Sequence, residues 1–142
     1  MRFIRARRGS VAIEFALGLP IFLFLVYGIF EFGRVFWTKN TMEFAVEEAA
    51  RYTMVNLNAS TNDITQVVED NAPGLDVTRI VVAVTFEVLG ANRFFVTVTG
   101  TYKYVPMIPI KIPFSGEVNA DFTQLEMDIE TSTRMALVLG TN

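Results

Sequence analysis

An N-terminal apolar run constrains this chain more than any other feature. Residues 15–30 carry no charge, and as a helix they would reach about 24 Å, against a membrane hydrocarbon core of about 30 Å. A spanning helix must therefore include flanking residues. Extension to Trp37 takes in Glu31 and Arg34, an opposite-charge pair at helical spacing. Trp37 and Tyr27 are aromatics suited to a membrane surface. The run predicts a single transmembrane helix.

The segment before the run is basic. Four arginines precede the first acid, Glu14: Arg2, Arg5, Arg7 and Arg8. Because positively charged flanks stay in the cytoplasm, we expect the N-terminus inside and everything after Lys39 outside. Removal of residues 1–9 would change the net charge from minus 3 to minus 7. An acidic body argues against nucleic acid as a partner, since phosphate binding needs clustered basic residues.

Composition excludes several kinds of site. The chain has no Cys and no His, which removes disulfides, the usual zinc ligands, thiol nucleophiles and histidine bases. We expect no enzyme activity, no catalytic residue, no cofactor, no metal and no small-molecule substrate.

Glu14 lies inside the start of the apolar run, where a carboxylate is unexpected. An acid at the centre of a membrane helix costs about 2.5–3.5 kcal/mol. A cleaved secretory signal peptide does not explain it, because no small-x-small cleavage site follows the run. A plain uncleaved signal anchor explains the span but neither Glu14 nor Gly9 before it.

The spacing around Glu14 matches a known pattern. Gly9, the four residues SVAI, Glu14 and Phe15 resemble the type IV prepilin processing site, glycine-x4-glutamate-aromatic. The resemblance implies that a membrane prepilin peptidase cuts after Gly9 on the cytoplasmic side. Residues 1–9 would then be a leader, and Ser10 the new N-terminus.

The wider segment 7–54 is similar to the TadE-like pseudopilins of the Tad (Flp) type IVb pilus system, in which TadE and TadF share this layout. The resemblance implies a minor pilin or pseudopilin that takes part in assembly or initiation of an adhesive pilus. Its implied partners are the prepilin peptidase, other pilins and pseudopilins, the Tad assembly platform and the membrane. The implied location is the bacterial inner membrane, single pass, with a periplasmic head, in or at the base of the pilus.

The residues of the motif also have a chemical rationale. Glycine before the scissile bond has no Cβ to obstruct a catalytic carboxylate. After cleavage, the Ser10 ammonium and the Glu14 carboxylate lie about one helical turn apart, within one chain or between neighbours. Each would offset the charge of the other where an isolated charge is costly. The resemblance implies that Glu14, followed by Phe15, acts between subunits during assembly.

Gly18 and Pro20 lie inside the span. Membrane helices tolerate both residues, and a proline in a helix interior commonly produces a kink. Both interpretations remain open. Ala12 and Ala16 form a small-xxx-small pair, a weak indication of close helix packing.

The rest of the chain predicts an α+β head on a long N-terminal helix. The expected domains are the leader (1–9), the membrane and amphipathic helix (10–54) and the extracytoplasmic α+β head (55–142). Beyond the membrane, an apolar stripe at helical spacing indicates a helix that covers a sheet; its members are Met42, Ala45, Val46, Ala49 and Tyr52. Ser60 and Asp63 begin a short helix that Pro73 and Gly74 stop. Glu47 and Arg51 form an i, i+4 pair.

Alternating apolar residues predict an antiparallel hairpin, with strands from about Val77 and from Phe94 to Tyr104 around a turn at residues 90–92. A third strand is expected at 115–123. Prolines in 105–114 exclude a central strand there, and the exposed apolar residues Met107, Ile108 and Ile110 are candidate partner contacts.

Near the C-terminal end, Glu126, Asp128 and Glu130 share one face. A solvated acidic face is favoured over a calcium site, because calcium loops also bring Asn, Gly and tight turns.

The sequence is also compatible with a second function. The chain could be an uncleaved, signal-anchored protein whose periplasmic head is a partner-binding module. In that case residues 105–114 would be the binding segment.

Overall fold

The computed structural model describes residues 8–88, 93–107 and 126–138. The elements in chain order are helix α1 (Arg8–Val55), helix α2 (Thr61–Asp70), a single 3₁₀ turn (Val77–Arg79), and strands β1 (Ile80–Val88), β2 (Arg93–Tyr104) and β3 (Met127–Val138). These elements confirm the predicted α+β class. The chain forms two compact units, Met1–Arg34 and Val35–Asn142, and α1 contributes residues to both.

The first unit is built on the apolar part of α1. The most apolar 18-residue window of this helix has a mean hydropathy of 2.1 and none of it is buried. Large apolar side chains such as Phe15, Ile21 and Phe30 are about two-thirds exposed. A helix needs about 20 apolar residues to cross a bilayer. This long N-terminal helix therefore fits a single-pass membrane anchor.

The second unit has its core between α1, α2 and the sheet. The buried apolar residues form one cluster: Met42, Ala45, Val46, Ala49, Ala50, Ile64, Val68, Ala72, Ile80, Val96, Val98, Tyr102, Tyr104 and Ile129. From Met42 to Ala49 the buried positions of α1 repeat at the predicted helical spacing, which confirms the amphipathic stripe. The predicted pair of Glu47 and Arg51 is present at 3.9 Å.

Tyr52 was expected in this stripe, and that prediction is wrong. Tyr52 is 36% exposed, whereas its neighbour Thr53 is 4% exposed. The Thr53 hydroxyl donates a hydrogen bond of 2.9 Å to the carbonyl of Ala49. This bond satisfies a buried polar group locally, so threonine can occupy a core position that apolar periodicity assigns elsewhere.

Helix α2 follows the predicted signals. The Ser60 hydroxyl accepts from the Asp63 amide at 3.2 Å, and the Asp63 carboxylate accepts from the Ser60 amide at 2.9 Å. This reciprocal capping box fixes the first turn. Ile64 and Val68 are fully buried, so the helix presents one apolar face to the core.

The sheet is a meander with strand order β1-β2-β3. Both pairs are antiparallel, and Val98 of β2 lies opposite Val84 of β1 and Thr133 of β3. The predicted hairpin of β1 and β2 is confirmed, while its turn at 90–92 lies outside the described residues. On β1 the apolar alternation gives full burial at Ile80 and partial burial at Val82 and Val84, which pack against the core. Phe86 and Val88 are 56% and 66% exposed.

Strand β3 carries the predicted acidic face at Asp128 and Glu130, buries Ile129 on its other face, and continues to Val138. Its inward positions continue with Thr131, 8% exposed, whose hydroxyl lies 3.5 Å from the carbonyl of Gly100. The expected strand at 115–123 lies outside the described residues.

Candidate functional site

The predicted processing site lies in the first turns of α1. Gly9 and Ser10 are its second and third residues. Glu14 follows Ser10 by four positions, so the two lie on the same face of the helix, about 6 Å apart along its axis. Phe15 is 67% exposed. The helix therefore gives Ser10 and Glu14 the spacing that an ammonium and carboxylate pair would need.

Glu14 is an exposed carboxylate on an apolar helix surface. Val11 and Leu17, one turn away on either side, are 67% and 70% exposed. Within the part of the chain that the structure describes, the Glu14 carboxylate makes neither an ion pair nor a hydrogen bond. A cation or donor from outside these residues is free to approach it, which is the arrangement that an intersubunit contact requires.

Pro20 lies inside α1, and the helix continues through it. Proline has no amide hydrogen, so the carbonyl of Ala16 loses its helical hydrogen bond. A Cβ added at Gly18 would meet nothing within 4 Å. The kink at Gly18 and Pro20 stays a prediction.

Two further features of the first unit lie C-terminal to Pro20. Phe24, Gly28 and Phe32 line a shallow apolar groove on the helix surface. The predicted pair of Glu31 and Arg34 is present, with 3.4 Å between a guanidinium nitrogen and the carboxylate. Pairing lowers the cost of placing these charges close to lipid.

The predicted partner segment is described only in part. Met107 is 70% exposed, as expected for a contact residue. Ile108 and Ile110 lie outside the described residues.

The three carboxylates near the start of β3 are exposed and do not converge. Asp128 lies opposite Lys103 and Glu130 lies opposite Thr101 on the neighbouring strand. Among residues 8–88, 93–107 and 126–138, no group of three acidic side chains is placed to hold a metal ion. The arrangement is that of a solvated face with a lysine on the neighbouring strand opposite one carboxylate.

A shallow depression of about 490 Å³ adjoins the end of α1 and is lined by Tyr52, Leu57, Ala59 and Asp63 among others. Its carboxylate is already engaged in the capping box. Hydrogen bonds from the Ser60 amide and hydroxyl lower the pKa of Asp63, because they stabilise its charged form. The Asp63 carboxylate therefore serves to cap α2.

Two glycine contacts in the second unit went unpredicted. A Cβ at Gly100 would lie 2.6 Å from Val46 Cγ2, and one at Gly74 would lie 2.9 Å from Trp37 Cη2. Gly74 also has a φ of +78°, which favours glycine. The only sequence signal was a glycine inside a strand pattern and one inside a turn.

Three features of the described residues can be compared with known proteins. The chain has a long apolar N-terminal helix that fits a membrane anchor, a carboxylate one turn after a Gly-Ser pair, and a small α+β unit. Residues 9–51 match the family model described as TadE-like protein, which confirms the resemblance over that segment. No curated protein and no solved structure matches the chain.

Proposed function

We propose that this chain is a minor pilin or pseudopilin of a Tad-type pilus, cut after Gly9 by a prepilin peptidase. The observation that carries the proposal is the TadE-like match, which starts at Gly9 itself. The α-helical register that sets Ser10 and Glu14 one turn apart supports the role of Ser10 as the mature N-terminus.

In this proposal the chain begins as a single-pass inner-membrane protein with its basic end in the cytoplasm. The second unit is periplasmic. After cleavage, the Ser10 ammonium and the Glu14 carboxylate pair within the chain or between subunits, and other pilins and the Tad assembly platform are the partners.

The test is expression of the full chain with and without the prepilin peptidase, followed by N-terminal sequencing. We expect Ser10 as the first residue only when the peptidase is active. Gly9→Val should block the cut, because a β-branched side chain crowds the scissile bond. Gly18→Val is the matched control, since its Cβ has open space. Persistence of Met1 with active peptidase, together with unchanged piliation of the Gly9 variant, would remove the proposal.

The exposure of Met107 favours one alternative, an uncleaved anchor whose head binds a partner through residues 105–114. That function predicts Met1 at the N-terminus in every condition. It also predicts loss of partner capture in Met107→Asp with normal processing, whereas a pseudopilin needs the cut.

A further inference from the structure

Trp37 and the turn that follows α2 form one surface. The closest ring carbon, Cη2, lies 2.9 Å from the position of a Cβ on Gly74, so this ring edge contacts the glycine backbone directly. An amide hydrogen bond of 3.2 Å from Leu75 to the carbonyl of Ala72 closes the turn. We call Trp37, Pro73, Gly74 and Val77 the Trp37 surface.

This surface is apolar and open. Trp37 is 50% exposed and Val77 is 45% exposed, and Pro73 is exposed as well. Val77 is three residues from Gly74, which limits their separation to about 10 Å. Covering this patch would be favourable, since apolar area removed from water contributes about 25 cal/mol per Å².

The charged side chains near the Trp37 surface are of both signs, and Asp70, three residues before Pro73, is an exposed acid. Asp76 is paired with Arg79 at 3.4 Å, and its carboxylate accepts from the Thr78 amide and hydroxyl at 3.1 and 2.7 Å. Lys39 is exposed, and a lysine at this level attracts anionic lipid.

The position of Trp37 in α1 indicates what covers this surface. A span of about 20 residues that starts at Phe15 ends near Arg34. Trp37 follows by three residues, or about 5 Å along the helix, within a headgroup layer of about 5–7 Å on each side of the hydrocarbon core. Tryptophan is enriched at this level, because its ring is apolar and its N–H is polar. Trp37 thus follows the apolar segment of α1 closely in the sequence, which favours lipid over a protein partner.

We propose that the Trp37 surface is a membrane-contact site, which holds the turn at residues 73–77 in the lipid headgroup layer. The proposal rests on the membrane anchorage in the proposed function. It adds that a part of the second unit remote in sequence from the anchor also contacts lipid.

The chain suits a direct test, because it has one Trp and no Cys. The full-length protein is reconstituted in phosphatidylcholine–phosphatidylglycerol vesicles, and Trp37 emission is recorded with lipids brominated at graded depths. Val77→Cys receives a nitroxide whose accessibility to oxygen and to a water-soluble nickel chelate is compared. Val55→Cys is the matched control, a valine 83% exposed and about 27 Å further along α1 than Trp37.

We expect quenching of Trp37 by bromines near the headgroups, a nitroxide at position 77 exposed to oxygen and shielded from nickel, and a water-exposed nitroxide at position 55. A water-exposed nitroxide at position 77 with Trp37 still quenched overturns the proposal and leaves the anchorage standing. An unquenched Trp37 likewise overturns the proposal. Spin coupling between labels at position 77 assigns the surface to a second copy of the chain and also overturns the proposal. Circular dichroism of each variant confirms that it is folded.

Discussion

Val46 of α1 fills the space that a side chain on Gly100 of β2 would occupy. The missing Cβ would lie 2.6 Å from Val46 Cγ2 and 2.9 Å from Met42 Cε. Both helix residues are fully buried. This contact sets how closely the helix approaches the central strand, and it depends on glycine at one position.

Gly100→Ala should therefore destabilise the second unit by about 1–3 kcal/mol, the usual cost of overpacking a core. The measurement is denaturant unfolding of the full chain in detergent, followed by Trp37 fluorescence. The double variant Val46→Ala, Gly100→Ala should lose less free energy of unfolding than the sum of the losses in the two single variants, because Val46→Ala makes room for the new Cβ. Gly33→Ala, whose Cβ would meet nothing within 4 Å, is the control. An unchanged unfolding midpoint for Gly100→Ala would contradict the contact.

The capping box of α2 makes stability depend on pH. Hydrogen bonds from Ser60 lower the pKa of Asp63 below its usual value of about 3.9. A lowered pKa gives stability that is present above the unfolded-state value and is lost as pH falls through the folded-state value. Ser60→Ala should cost about 1 kcal/mol at neutral pH.

The difference between wild type and Ser60→Ala should shrink when the pH falls below about 4. Thermal melts of both proteins between neutral and acidic pH measure it. Thr61→Ala, next to the cap but outside the box, serves as control. A difference that stays constant down to the lowest pH would show that Asp63 titrates independently of the cap.

Arg134 connects the two outer strands across the exposed face of the sheet. Its guanidinium lies 2.6 Å from the Glu87 carboxylate and 4.4 Å from the centre of the Phe95 ring. Both charged side chains are about half exposed. We expect a coupling energy of about 0.2–1 kcal/mol for the ion pair.

A double-mutant cycle of Arg134→Ala and Glu87→Ala measures this coupling. It should fall toward zero in 1 M salt, where the screening length is about 3 Å. Arg134→Ala should still cost more than Glu87→Ala at high salt, since it also loses the contact with Phe95. Equal costs there would remove the role given to the ring.

Glu14→Ala should leave cleavage after Gly9 largely intact and reduce pilus assembly. The reason is that the carboxylate lies a full turn beyond the cut and has no partner within the described residues. Immunoblots for processing and counts of pili on cells measure the two effects separately. Glu43→Gln, an exposed acid of the second unit, is the control, and normal pili in the Glu14 variant would contradict the role of this residue.

Periodicity and capping chemistry predicted the helices well. The stripe through Met42 and Val46 and the Ser60–Asp63 box are local signals, carried by residues within a few positions of one another. The extent of β3 was not predictable in this way. Its inward residue Thr131 is polar, so the apolar alternation ends while the strand continues.

The candidate functional residues also separate into those with a local sequence signal and those without one. Gly9, Glu14 and Phe15 form a short motif with a fixed spacing, which can be read without a fold. The contact of Trp37 with Gly74 joins residues distant in sequence, and a turn glycine alone does not reveal its neighbour. Long-range packing of this kind is set by the tertiary fold and leaves no local signal in the sequence.

The meander order of the sheet has a consequence for biosynthesis. Each described strand pairs only with the next in the chain, so the sheet can be assembled in the order of translation. The apolar stripe of α1 is made first, yet its close partner Gly100 arrives only with the middle strand. Until then Met42 and Val46 lack this covering, and the nascent chain is open to wrong association. The interval between synthesis of the helix and completion of β2 is thus when a chaperone would contribute most to yield.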